Sequence, residues 1–240
     1  MCTVSFYKDA NKTVLTSNRD EHYSRPSALP PQLYASENYQ LLYCKDIKAN
    51  GTWMALRDDG TVIVLLNGAL VRHTPKYPYK KSRGLVLLDI INEENCLQKF
   101  NNYDFTAIEP FTLVIYQHTT LHECIWTGDE KLITKKPTGE EHIWSSVTLY
   151  DETFRKKKEN LFFQLVSSKN ELSKDDILQF HHSTQDLENG FIINRNEQLL
   201  TFSVTQIVLQ ETVNTFYHHD IRNEKLFTFE LNAIKKESIL

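Results

Sequence analysis

From residue 3 onward, polar and apolar positions alternate through Thr3-Val4-Ser5-Phe6-Tyr7. The chain then turns at Asp9-Ala10-Asn11-Lys12 and resumes a β-rich pattern at Thr13-Val14-Leu15-Thr16. Alternation of this kind lays one face of a strand on a core, and two such runs joined by a short polar turn predict a hairpin. A second hairpin is read in Gly51-Thr52-Trp53-Met54-Ala55-Leu56, the turn Arg57-Asp58-Asp59-Gly60 and the run Thr61 to Asn67. Its second strand is apolar at successive positions, as expected of a central strand covered on both faces. A third hairpin joins Phe111–Tyr116 to Leu121–Trp126.

Helical spacing appears between these hairpins. Ser82 offers an N-cap to a helix from Arg83 through Phe100, with Leu85, Leu88, Ile91 and Cys96 on one face. Charged residues interleaved with Phe154, Leu161 and Phe162 predict an amphipathic helix from Asp151 to Phe163. Ser173 caps a shorter one, Lys174 to His181. The β pattern returns over Gln198–Leu209 and ends at Leu226–Leu231. Strands, then helices, then strands predict a layered α+β fold with two stacked sheets. Neither a repeat nor a low-complexity linker divides the chain, so a single domain over residues 1–240 is expected.

Composition narrows the function. At 240 residues and 40% apolar content, the chain can bury a substantial core. A net charge of -4 and a pI near 6.1 argue against nucleic acid as a partner. The basic run Lys156-Lys157-Lys158 has acidic neighbours Asp151, Glu152 and Glu159 and reads as a solvated helix face. No stretch approaches ~18 apolar residues and no apolar segment follows the N-terminus, so no membrane span and a cytoplasmic location are expected. The cysteines have no C-x-x-C spacing, and Cys44, Cys96 and Cys124 read as reduced, buried thiols. His181-His182 and His218-His219 are adjacent pairs, and adjacent residues point to opposite sides of a strand. They do not converge on a metal, and no metal or other cofactor is expected.

The candidate chemistry begins at Cys2. Trimming of Met1 would leave a thiol and a free α-amine on one residue, titrating near ~8.5 and ~8. Such a residue is a nucleophile carrying its own base. The competing reading is an ordinary small buried residue. The first hairpin carries Asn18-Arg19-Asp20-Glu21 back toward residue 2, where an aspartate can hold an ammonium and an arginine favours thiolate over thiol. A surface salt bridge capping a strand would use the same residues. Asn67 ends the buried strand, where an amide needs a partner or a task; a turn bond to its own backbone before Gly68 is the plainer account. Trp53, Tyr77 and Tyr79 are candidates for an apolar acyl pocket, although aromatics in a sheet protein also serve as core.

Five segments occur in order: Met1-Cys2-Thr3-Val4; Asn18-Arg19-Asp20-Glu21 with Arg25-Pro26; Gly51-Thr52-Trp53; Leu66-Asn67-Gly68; and Ser82-Arg83-Gly84. Together they resemble the NRDE family, also called the transport and Golgi organisation protein 2 family. That family is similar to N-terminal nucleophile hydrolases of the choloylglycine hydrolase and penicillin V acylase type. The resemblance implies a four-layer αββα sandwich of two antiparallel sheets and cleavage of an amide C–N bond by Cys2. It also implies an oxyanion donor at Asn67. Where the family usually has Ser-Asn, this chain has Ser145-Ser146, leaving Ser146 as a shorter donor. Phe202 stands where many relatives have an arginine. Eukaryotic relatives associated with haem or lipid handling imply the alternative, a non-catalytic carrier of haem or another hydrophobic ligand. The expected partner is thus a small-molecule amide or a hydrophobic ligand.

Overall fold

The computed structural model describes residues 3–233. Strands β1 (Thr3–Lys8) and β2 (Thr13–His22) form the expected hairpin, with Phe6 opposite Leu15 and Thr3 opposite Asn18. Seven strands then follow as an antiparallel meander: β3 (Gln32–Ala35), β4 (Gln40–Tyr43), β5 (Met54–Arg57), β6 (Val62–Asn67), β7 (Phe111–Gln117), β8 (Thr120–Trp126) and β9 (Lys131–Lys136). Next, β10 (His142–Ser145) returns to the other side of β1. After the short β11 (Asn194–Arg195), β12 (Leu199–Leu209) inserts beside β2, and β13 (Val213–Asp220) and β14 (Lys225–Asn232) extend the sheet. One sheet is therefore local in sequence, and the other joins the two ends of the chain.

The two sheets stack face to face. Val4, Phe6, Leu15, Ile207 and Phe216 of the terminal sheet meet Leu42, Leu56, Val62, Val64 and Val114 of the meander in one buried cluster. The opposite face of the meander carries α1 (Arg83–Ile91) and α2 (Cys96–Asn102), which set Val86, Leu87, Ile90 and Phe100 on Ile63 and Leu113. The apolar run of β6 is explained by this, since alternate members face the other sheet and the helices. The terminal sheet is covered in turn by α3 (Glu152–Ser167) and α4 (Lys174–His181), with Leu172 and Ile177 against Tyr7, Val14 and Val208. The result is the expected αββα sandwich. Among the described residues no helix is long and apolar enough to cross a membrane.

Two sequence expectations change. The single helix from Arg83 to Phe100 is two helices, because Asn92 closes the first and Asn95 caps the second through the backbone N–H of Gln98. The break is held by Arg57, whose fully buried guanidinium donates to the carbonyls of Ile91 at 2.8 Å and Glu93 at 2.6 Å and pairs with Asp59 at 2.7 Å. The second change concerns the basic run: Lys158 is not on a solvated face but 1% exposed. Phe154, Lys158 and Phe162 are spaced four apart, so one helical stripe carries all three inward.

Candidate active site

A strand has a side-chain period of two, and this divides the Asn18-Arg19-Asp20-Glu21 cluster. Asn18 pairs with Thr3 and faces the helix layer, where its Nδ2 donates to the carbonyls of His181 (2.9 Å) and Phe191 (3.0 Å). Its Oδ1 bonds the ring Nδ1 of His181, and Ser5 Oγ lies 2.7 Å from the ring Nε2. An amide oxygen only accepts, so Nδ1 carries the proton and Nε2 accepts from Ser5. Burial pushes His181 down to about 3, in keeping with this neutral state. Asn18 is thereby a fully buried latch between β2 and α4.

Asp20 leaves β2 on the same side as Asn18. Its Oδ1 accepts from Thr201 Oγ1 at 2.6 Å and its Oδ2 from the Tyr150 hydroxyl at 3.1 Å. Lys158 completes the group, donating from Nζ to Thr3 Oγ1 at 2.9 Å and lying 3.6 Å from the centre of the Tyr150 ring. The ammonium bonded to Thr3, which has no solvent exposure, therefore lies over the ring of a phenol that in turn bonds the Asp20 carboxylate. Cys2 itself lies outside the described residues. The sequence reading found Asp20 but missed Lys158, Tyr150 and Thr201; the four-residue spacing of Phe154, Lys158 and Phe162 was the available signal for the lysine.

Arg19 points the other way. Its Nη2 lies 2.7 Å from Asp46 Oδ2 and 3.5 Å from Glu21 Oε1, and its guanidinium sits 4.6 Å from the centre of the Trp53 ring and 5.6 Å from that of Phe202. Asp46 also takes two hydrogen bonds from Arg25. Burial works against the Asp46 carboxylate, yet the bond from Arg25, the Ala49 N–H and the charges of Arg25 and Arg19 hold it below the usual range. Phe202 occupies a bulge, since the β2–β12 register skips from Thr201 to Ser203. Arg222, from the turn after β13, lies 4.6 Å from the Phe202 ring centre.

Arg19 opens onto a cleft of about 180 Å³. Four of the five sequence segments supply its walls: Arg19 and Glu21 from β2 with Arg25 just beyond it; Gly51, Thr52 and Trp53; Asn67; and Ser82, Arg83 and Gly84. Close backbone contact makes this convergence possible. A Cβ on Gly51 would stand 2.4 Å from the Gly84 carbonyl carbon, and one on Gly84 would stand 2.7 Å from the Thr52 oxygen. Only glycine fits at either position. Ser82 caps α1 through the Leu85 N–H, and Arg83 pairs with Glu109 at 3.0 Å.

Asn67 separates this cleft from a second cavity of about 220 Å³, whose wall includes Leu66, Ile125, Ile143, Trp144 and Ser146. Ser146 Oγ donates to the Asn67 carbonyl at 2.7 Å and shares a 2.8 Å bond with Thr148 Oγ1. The two expected oxyanion donors are thus adjacent. Tyr77 and Tyr79 are not part of either wall: Tyr77 is 78% exposed, and the Tyr79 hydroxyl accepts from the Lys76 N–H at 2.7 Å. The aromatic lining comes instead from Trp53 and from Trp144, which the sequence reading had not singled out.

The three described cysteines are free and buried. Burial raises all three thiols, Cys44 well above its ordinary value, Cys96 to about 11 and Cys124 to about 12. Thiols held this far above neutrality are poor nucleophiles. Among the described residues no group of three or more His, Cys, Asp or Glu side chains could hold a metal ion. His182 and His219 bond to each other at 2.8 Å.

The profile of the Transport and Golgi organisation 2 family matches residues 1–222. A search of curated protein sequences finds no match. Among solved structures, two variants of conjugated bile acid hydrolase from Clostridium perfringens are similar. They superpose with TM-scores of 0.63 and 0.61 at 11% and 10% identity, over 95% and 96% of this chain and 92% of theirs. An N-acylethanolamine-hydrolyzing acid amidase ortholog from Caenorhabditis elegans has a TM-score of 0.62 at 9% identity, over 86% of this chain and 92% of its own. At these identities the likeness concerns the fold.

Proposed function

The chain belongs to the Transport and Golgi organisation 2 family and shares the fold of N-terminal nucleophile hydrolases, and on that basis we propose that it hydrolyses a linear amide bond with Cys2 as nucleophile. The observation that carries this reading is the convergence of the family's sequence segments on one cleft, with Arg19, Trp53 and Asn67 in its walls. The acyl-amide chemistry named for the similar structures supports an N-acylated small molecule as substrate.

In this mechanism, removal of Met1 frees the α-amine of Cys2. The amine takes the thiol proton, the thiolate attacks the amide carbon, and the carbonyl electrons move onto oxygen. The Asn67 side-chain amide donates to that oxyanion, a contact worth ~3–4 kcal/mol in comparable sites. Ser146, whose hydroxyl already bonds the Asn67 carbonyl, fixes the position of Asn67. As the tetrahedral species collapses the C–N bond breaks, and the ammonium returns its proton to the leaving nitrogen. Water then attacks the thioester and releases the acid.

Asp20 orients the amine from its network with Thr201 and Tyr150. Arg19, held by Asp46 and the Trp53 ring, presents positive charge to the cleft, where it favours the thiolate or pairs with an acidic substrate group. Asn18, fully engaged with His181 and Phe191, contributes through the placement of β2 rather than by touching substrate.

The test is a screen of N-acyl amides with the mature protein and with Cys2→Ala. Intact mass should show loss of Met1, an acyl-directed electrophile should modify Cys2, and Cys2→Ala should reduce turnover to background. Turnover retained in Cys2→Ala would end the mechanism. A second reading, a carrier of a hydrophobic ligand, draws on the groove of about 820 Å³ between α3 and α4, lined in part by Leu161, Leu165, Phe180 and Phe191. His182 also lines it, but its ring nitrogens meet the Leu178 carbonyl and His219, so a haem there would lack this axial ligand. Lipid extraction and an absorbance scan of fresh protein test that reading.

A further inference from the structure

Two loops border the openings described above, and both carry exposed apolar side chains beside basic ones. The first, residues 68–82, leaves Asn67 at the meeting of the two cavities and returns to the cleft at Ser82. Loops of this length without secondary structure are uncommon and usually functional. Leu70, Val71 and Tyr77 are 53%, 73% and 78% exposed. The second loop contributes Asp46 and Ala49 to the cleft wall, and Ile47 between them is 49% exposed.

The charge of this rim departs from that of the chain. Residues 69–83 contain five Lys and Arg and no Asp or Glu, in a chain of net charge -4. Lys80, Lys81 and Arg83 have acidic partners in Asp104, Asp89 and Glu109. Exposed Arg72, Lys76 and Lys48 make no ion pair among the described residues. Single exposed apolar residues are ordinary. Four of them on the two loops that border these openings, interleaved with uncompensated cations, have the composition of an interfacial anchor. Apolar tips enter the acyl boundary, tyrosine settles at headgroup depth, and lysine and arginine are drawn to anionic lipid.

We propose that this rim docks the protein on an anionic phospholipid bilayer, with the cleft facing the lipid. The site is peripheral, requires no spanning segment and does not depend on catalysis. It would give a lipid-borne ligand a path from the bilayer to the cavities beside Asn67.

Sedimentation with vesicles tests it, using phosphatidylcholine alone and phosphatidylcholine mixed with phosphatidylserine. The full chain should bind the mixed vesicles on the order of tenfold more tightly than neutral ones, and added salt should weaken that binding. V71D/Y77D and R72Q/K76Q should each lower it by about tenfold, with circular dichroism and melting unchanged because all four positions are exposed. Leu226→Asp, an exposed apolar site on β14, should bind as the parent does.

Equal binding to neutral and anionic vesicles, no binding to either, or equal loss in Leu226→Asp would overturn the proposal. So would a dimer in sedimentation velocity that V71D/Y77D dissolves, since the patch would then serve a second copy of the chain. Because binding is read without turnover, failure here leaves the Cys2 mechanism standing, and the converse also holds.

Discussion

Lys158 brings a positive charge into the interior one peptide unit from Cys2, through its bond to Thr3 Oγ1. A cation near a thiol and an amine favours thiolate and disfavours ammonium, so it lowers both pKa values. Lys158→Met, which keeps the bulk without the charge, should move the pH midpoint of Cys2 alkylation upward by about one unit. An unchanged midpoint would assign Lys158 to packing alone. Asn18→Ala should act differently, stranding the His181 Nδ1–H and two backbone carbonyls and lowering stability by about 2–4 kcal/mol in urea unfolding. The four letters Asn18-Arg19-Asp20-Glu21 read as one polar cluster in the sequence. What it concealed was the division of labour: the period of a strand sends Asn18 and Asp20 to the helix side and Arg19 between the sheets. Asp46 and Tyr150 were illegible because their partners are distant in sequence and no local pattern marks either.

Gly51 and Gly84 join the β4–β5 connection to the start of α1, and their contact is backbone on backbone. No rotamer can relieve a Cβ placed 2.4 Å from a carbonyl carbon, so Gly51→Ala should cost about 2–3 kcal/mol or more. A urea midpoint equal to that of the parent would show that α1 can shift freely. Arg57 has a comparable role at the other end of α1. Its removal leaves the Asp59 carboxylate and the carbonyls of Ile91 and Glu93 without their donor, and Arg57→Met should destabilise by about 3–5 kcal/mol. The hairpins β1–β2, β5–β6 and β7–β8 were legible from alternation and turn residues, and the caps Ser82 and Ser173 set helix starts correctly. Strands β3, β4, β9, β10, β11 and β13 were not. β3 and β9 are exposed edges whose polar residues need no core, and β13 follows its core residue Phe216 with His218, turned inward to Thr205, rather than with a second apolar side chain. The break at Asn92–Asn95 was hidden because Ile91 and Cys96 continue the apolar spacing across it.

Two buried histidines, His181 at the end of α4 and His218 on β13, couple the packing of the terminal sheet to pH. Burial depresses His181 to about 3 and His218 to about 4, both below the ordinary 6.5. Between those values the unfolded chain binds protons that the folded one refuses, so stability is complete above about pH 6.5 and declines as pH falls. Each group contributes up to ~1.4 kcal/mol per pH unit. The urea midpoint should therefore drop steadily from pH 7 to pH 4, and His181→Gln should flatten the slope. A midpoint independent of pH in this range would mean that both rings are solvated. The layered architecture was legible because strand and helix patterns occur in blocks, and the family resemblance added the order of the layers. Which strands belong to which sheet was not, since β12 reaches β2 across most of the chain and nothing local announces that pairing.

The meander between β3 and β9 is contiguous in sequence, whereas β1 and β2 must wait for β12 before their sheet closes. On a ribosome adding ~5–20 residues each second, that delay is on the order of ten seconds. For that interval the leading hairpin's permanent neighbour is still unmade. Until β12 arrives, the free edge of β2 is a row of unpaired backbone groups, open to mispairing with any other extended segment.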